Sequence, residues 1–99
     1  MRKIAKPEAE IPLDGFEAFY DEFLATRKEE LIILKAAMVA GDFKTLVNYG
    51  HKWKGFCSPY GFQELSELSI QMEQAALNGD TQECQAILVR IDEYLGDDS

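Results

Sequence analysis

The sequence predicts an all-α fold: an up-down antiparallel four-helix bundle with a short N-terminal helical extension. Three observations predict it. Apolar residues recur at helical spacing over successive segments from Phe16 to Leu95. Glycine followed by aspartate punctuates the chain at Gly41-Asp42 and Gly79-Asp80. No stretch alternates polar and apolar residues between turn signals, so no strand is expected. Short connections make successive helices antiparallel neighbours, and their apolar stripes need one another.

Residues 1–12 carry mixed charge with Pro7 and Pro12 and read as a flexible arm, leaving 13–96 as the helical domain. Asp14 is a good N-cap, and Glu17 stands three residues on, where the acid of a capping box belongs. Phe16, Phe19, Tyr20, Phe23, Leu24, Leu31, Leu34 and Met38 then keep helical spacing as far as Gly41. The polar patch Thr26-Arg27-Lys28-Glu29-Glu30 interrupts that run. It leaves two readings open, one long helix or a bend between a short and a longer one. Asp42 caps the next helix, from Phe43 to about Tyr60, with Pro59 distorting its last turn. A third helix spans 62–78 with Phe62, Leu65, Leu68, Met72, Ala75 and Ala76 on one face. Asp80 and Glu83 repeat the capping pattern for a fourth, from Thr81 to about Leu95, before the frayed end Gly96-Asp97-Asp98-Ser99.

Ninety-nine residues make one domain, and 46% hydrophobic residues suffice for a single core. The formal charge of −8 argues against sequence-independent nucleic-acid binding and against docking to anionic lipid. Cys57 and Cys84 fit no metal-ligand spacing and read as reduced core residues, so no metal site is expected. The basic start Met1-Arg2-Lys3 has no apolar run behind it, so neither signal peptide nor membrane span is expected and the cytoplasm is the default location.

Against this acidic background one window stands out. No acidic residue lies between Asp42 and Glu64, and the window holds Lys44, Lys52, Lys54 and the sole histidine, His51. At about 100° per residue, Lys44, Val47, Asn48, Lys54, Gly55 and Ser58 fall within about 60° of His51. Leu46, Tyr49, Trp53, Phe56, Cys57 and Tyr60 fall more than about 100° away and form the expected core face. His51 is therefore expected to face solvent, among lysines suited to an anion. Gly55 costs the helix about 0.5–1 kcal/mol relative to alanine. It leaves bare backbone on the outward side, where another surface can approach. Lys44, Val47, Asn48, Lys52, Gly55 and Ser58 are the expected docking surface, with Lys52 on its rim.

His51-Lys52-Trp53-Lys54-Gly55, then Gly61-Phe62, Leu65, Leu68, Met72-Glu73 and Gly79-Asp80, resemble the histidine-containing phosphotransfer (HPt) family. The match runs over about residues 40–80 and its helical layout over nearly the whole domain. The resemblance implies that His51 accepts a phosphoryl group from a receiver-domain aspartyl phosphate and passes it to another receiver. It implies Lys54 as the phosphate-stabilising cation and Glu73 as the group orienting the imidazole. A response-regulator receiver domain or a hybrid sensor kinase is the implied partner. This chain needs no cofactor, any Mg²⁺ being expected on the receiver, and is expected to be monomeric, without catalytic turnover of its own. The chemistry suits these residues. Nucleophilic attack needs a neutral imidazole with a free lone pair, and an acceptor at Nδ1 leaves that lone pair on Nε2.

The chain departs from the family pattern at Trp53, Phe56 and Pro59. Phe56 is expected to turn into the core and to leave the histidine unblocked. The alternative function, from another class, is a helical docking adaptor that binds a receiver or other signalling protein without carrying phosphate. A hydrolase would need a second base or a metal beside the histidine, and the sequence offers neither.

Overall fold

Two aspartates set where helices begin. Asp42 Oδ1 accepts from the backbone N–H of Thr45 at 3.2 Å, and Asp80 Oδ1 from that of Glu83 at 3.1 Å. Each side chain satisfies a donor that the first helical turn leaves without an internal partner. The Asp42 carboxyl is held below its ordinary range, first by the hydrogen bond from the Thr45 hydroxyl and then by the one from the Thr45 N–H. The computed structural model describes residues 17–96. Over that span it has four helices: α1 (Glu17–Ala40), α2 (Phe43–Cys57), α3 (Gln63–Leu77) and α4 (Thr81–Leu95). A short 3₁₀ turn, Ser58–Tyr60, follows α2. Among the described residues there is no strand. The expected arm, the N-terminal helical extension, the Asp14 cap and the last three residues lie outside the described span.

The helices pack in a ring, α1 against α2 and α4, and α3 against α2 and α4. Contacts between α1 and α2 run in opposite senses, Phe19 meeting Tyr60 while Glu30 meets Trp53. The core is sealed by Leu34, Leu46, Trp53, Phe62, Leu65, Met72, Ile87, Ile91 and Leu95, none of them solvent-exposed. At the lower end of the core, Phe23 stacks on Phe62 with ring centroids 5.0 Å apart, and Tyr20 meets Phe62 edge-on. Such pairs add about 0.5–1.5 kcal/mol beyond the area they bury.

The open question about α1 resolves as one unbroken helix of 24 residues. The polar patch does not bend it, because two of its charges turn inward. Arg27 is only 6% exposed. Its guanidinium lies 4.6 Å from the Phe23 ring centroid, 5.1 Å from Phe56 and 5.8 Å from Trp53. Its Nε donates to Glu30 Oε1 at 2.9 Å, and the same oxygen accepts from Trp53 Nε1 at 2.8 Å. One carboxylate thus serves a buried cation and a buried indole N–H, neither of which could be left unpaired cheaply.

The expected core face of α2 needs correction at its end. Leu46, Trp53 and Cys57 are buried as expected, and Tyr49 is half-buried. Phe56 and Tyr60, expected inside, are 41% and 42% exposed. Phe56 sits at the edge of that face, where the Arg27 guanidinium occupies the interior and the ring covers it from outside. Tyr60 falls in the 3₁₀ turn, whose three residues per turn break the helical phase used to place it. Pro59 also belongs to that turn. Gly61 closes it in the left-handed conformation, φ 86°, which a side chain would resist. Its N–H donates to Ser58 O at 3.1 Å, and that of Phe62 to Cys57 O at 3.0 Å, so the chain enters α3 directly beneath the end of α2.

Candidate functional site

The site is built where α2 crosses close to α3. His51 and Lys54 stand one turn apart on α2, and Glu73 comes from α3. The imidazole is 69% exposed, on the side of α2 away from Trp53. Its Nδ1 lies 3.6 Å from Glu73 Oε2, and the Lys54 ammonium lies 3.8 Å from Glu73 Oε1. The Glu73 side chain is only 17% exposed, whereas that of Lys54 is 41% exposed. A single, largely sheltered carboxylate therefore faces the inner edge of the imidazole with one oxygen and a cation with the other. The separation to Nδ1 is slightly longer than a hydrogen bond. It is short enough for the carboxylate field to favour a proton on Nδ1, leaving the Nε2 lone pair for an incoming electrophile.

The other expected surface residues spread around this group. Lys44, Asn48, Lys52, Gly55 and Ser58 are exposed, while Val47 is half-buried and packs on the core. Lys52 turns away, its ammonium 5.5 Å from the centroid of the Tyr49 ring. At Gly55 a Cβ would meet nothing within 4 Å, so the backbone there is open. Ile70 and Leu77, both exposed, flank Glu73 on the same face of α3. Sequence reasoning did not single them out, because it traced only the core stripe of α3 and they fall outside it. Nor did it single out Gly50, although it stands beside the histidine. Gly50 is buried, and a Cβ there would lie 2.8 Å from Ser69 O and 3.1 Å from both N and Cβ of Glu73. Its signal was present as a small residue next to an exposed reactive one, but only the register of α3 gives that smallness a partner.

Among the described residues, no three of the His, Cys, Asp and Glu side chains converge so as to hold a metal ion. Cys57 and Cys84 are buried free thiols, and burial pushes the Cys57 thiol up from 9.0 to about 12. No described helix is long and apolar enough to cross a membrane.

A family model, that of the Hpt domain, matches residues 18–97, well over half of the chain. The chain belongs to the Hpt domain family. Its role accordingly lies in phosphotransfer within two-component signalling, where Hpt domains are helical phosphocarriers that work with receiver domains and kinases. The His51–Lys54–Glu73 group lies within the matched span, as do all four helices apart from the first residue of α1. No curated protein and no solved structure gave a significant match to the chain.

Proposed function

We propose that this Hpt domain is a phosphorelay intermediate that takes a phosphoryl group onto Nε2 of His51 and hands it on. The donor is the aspartyl phosphate of a receiver domain, free-standing or part of a hybrid sensor kinase, and the acceptor is another receiver aspartate. The observation that carries this reading is the convergence of Glu73 on Nδ1 of His51 and on Lys54, at 3.6 and 3.8 Å, beside an imidazole open to solvent.

The step balances on these groups. The Nε2 lone pair attacks phosphorus, the Nε2–P bond forms, and the P–O bond to the receiver aspartate breaks, releasing a carboxylate. Nδ1 keeps its proton, so the ring gains positive charge, which the Glu73 carboxylate offsets from the inner side. Lys54 is placed to swing from Glu73 to the phosphoryl oxygens and neutralise their charge. Such transfer depends mainly on positioning and charge neutralisation, which allows so small a site to suffice. No cofactor is assigned to this chain, and any Mg²⁺ is taken to belong to the acidic pocket of the receiver. The docking surface in this reading is Lys44, Val47, Asn48, Gly55 and Ser58, with Lys52 at the rim. The chain acts as a cytoplasmic monomer without turnover of its own.

Incubation with phosphorylated receiver domains is expected to place acid-labile, alkali-stable label on the protein. His51→Gln is expected to remove that label entirely. Label that persists in His51→Gln would overturn the assignment. Binding of receivers without label on the wild-type chain would favour a docking adaptor instead.

A further inference from the structure

We propose that Gly50 is a positioning residue for the phosphoryl-transfer step, acting through Glu73. The inference rests on the reading of His51 as phosphoacceptor. Its ground is the fit of α2 against α3. Where Gly50 lacks a side chain, the α3 backbone occupies the space: Ser69 O would lie 2.8 Å from an added Cβ, and Glu73 N and Cβ 3.1 Å from it. The obstructing atoms are backbone and the root of a side chain, not a flexible tip, so they could yield only if the helices moved apart. The Ser69 carbonyl is part of the α3 backbone, and Ser69 itself is wholly buried, its hydroxyl donating to Leu65 O at 2.8 Å.

The same approach sets how far the Glu73 carboxylate reaches. It stands 3.6 Å from Nδ1, already at the outer edge of useful contact, so any widening of the α2–α3 spacing takes it out of range. By contrast, Gly55, five residues on along the same helix, has no atom within 4 Å of an added Cβ. The two glycines are therefore not interchangeable. Gly50 holds the inner partner of the imidazole in place, whereas Gly55 keeps the outer surface bare.

The test uses the full chain and needs no receiver. His51 is the only histidine, so ¹⁵N spectra of histidine-labelled protein report one imidazole and give its tautomer directly. Gly50→Ala is expected to shift the tautomer ratio towards that of Glu73→Ala. The double variant is expected to match Glu73→Ala alone. In parallel, phosphoramidate serves as phosphodonor, its P–N bond breaking with loss of ammonia as the Nε2–P bond forms. The labelling rate is expected to fall about three- to tenfold in Gly50→Ala, with no further fall on adding it to Glu73→Ala. A folded Gly50→Ala with the wild-type ratio, or effects of the two variants that multiply, would overturn the proposal. Should Gly50→Ala fail to fold, Glu73→Asp withdraws the carboxylate by one methylene with the helices intact. It is expected to lose the tautomer bias, and retention of the bias would equally overturn the proposal. If the wild-type chain takes no label from phosphoramidate, the acceptor reading fails while the tautomer ratio still judges Gly50.

Discussion

Helix α2 meets its two neighbours by opposite means. Towards α1 it presents bulk: Trp53 and Phe56 close around the Arg27 guanidinium, and Glu30 ties the cation to the indole N–H. Towards α3 it presents an absence, Gly50, against which the backbone of Ser69 and Glu73 packs. The chemically useful group sits on the close side, His51 and Lys54 sharing Glu73. The wide side carries buried area and satisfied charge, so it contributes to stability without touching the imidazole. The difference teaches that one helix can divide support from function between its two flanks. Changes on the α1 flank should act on folding, and changes on the α3 flank on the imidazole.

The largest expected effect comes from emptying the wide flank. Trp53→Ala removes a fully buried ring and strands Glu30 and Arg27, for a loss of about 3–5 kcal/mol. Urea unfolding followed by circular dichroism would measure it, and a loss below about 1 kcal/mol would show that the flank is not the support described. Next comes Glu30→Ala, which keeps the apolar wall but leaves the Arg27 charge and the indole N–H without their shared acceptor. A loss of about 1–3 kcal/mol is expected, partly recovered in Glu30→Gln, while the tautomer of His51 stays as in the wild type. Gly55→Ala, on the open side of α2, should instead stabilise the protein by about 0.5–1 kcal/mol in thermal unfolding, because nothing crowds the added methyl. If Gly55 serves receiver docking, the same variant should slow transfer from a receiver but not labelling by phosphoramidate.

The smallest effect is absent at neutral pH. The Cys57 thiol is raised to about 12 by burial. The folded protein therefore holds that proton where the unfolded chain, with an ordinary thiol near 9.0, releases it. Stability is expected to be unaffected below that ordinary value and to decline as pH rises from there towards 12. Cys57→Ser titrated alongside the wild type should remove that part of the alkaline slope.

Much of the fold was legible in the sequence because it rests on local signals. The caps at Asp42 and Asp80 and the stripes of α3 and α4 depend on residues a turn or so apart. The outward direction of His51 followed from the helical wheel, since Leu46, Trp53 and Cys57 had to face the other way. What was not legible depends on partners distant in sequence. Arg27 and Glu30 read only as part of a polar patch, compatible with one long helix or a bend, until Trp53 stands 23 residues from Glu30 to meet them. Phe56 read as core because the wheel has no means of knowing that an arginine fills the space beneath it. Gly50 was visible only as a small residue beside the histidine, since a missing side chain acquires meaning only through the atoms that occupy its place.

Trp53 carries one more consequence. It is the sole tryptophan of the chain, wholly shielded from water and two residues from His51 on the same helix. Its emission is thus an intrinsic optical probe, blue-shifted while α1 and α2 remain joined and moving to longer wavelength as they part. Loss of the Glu30 tie and urea denaturation can both be followed at this one fluorophore without any label being attached.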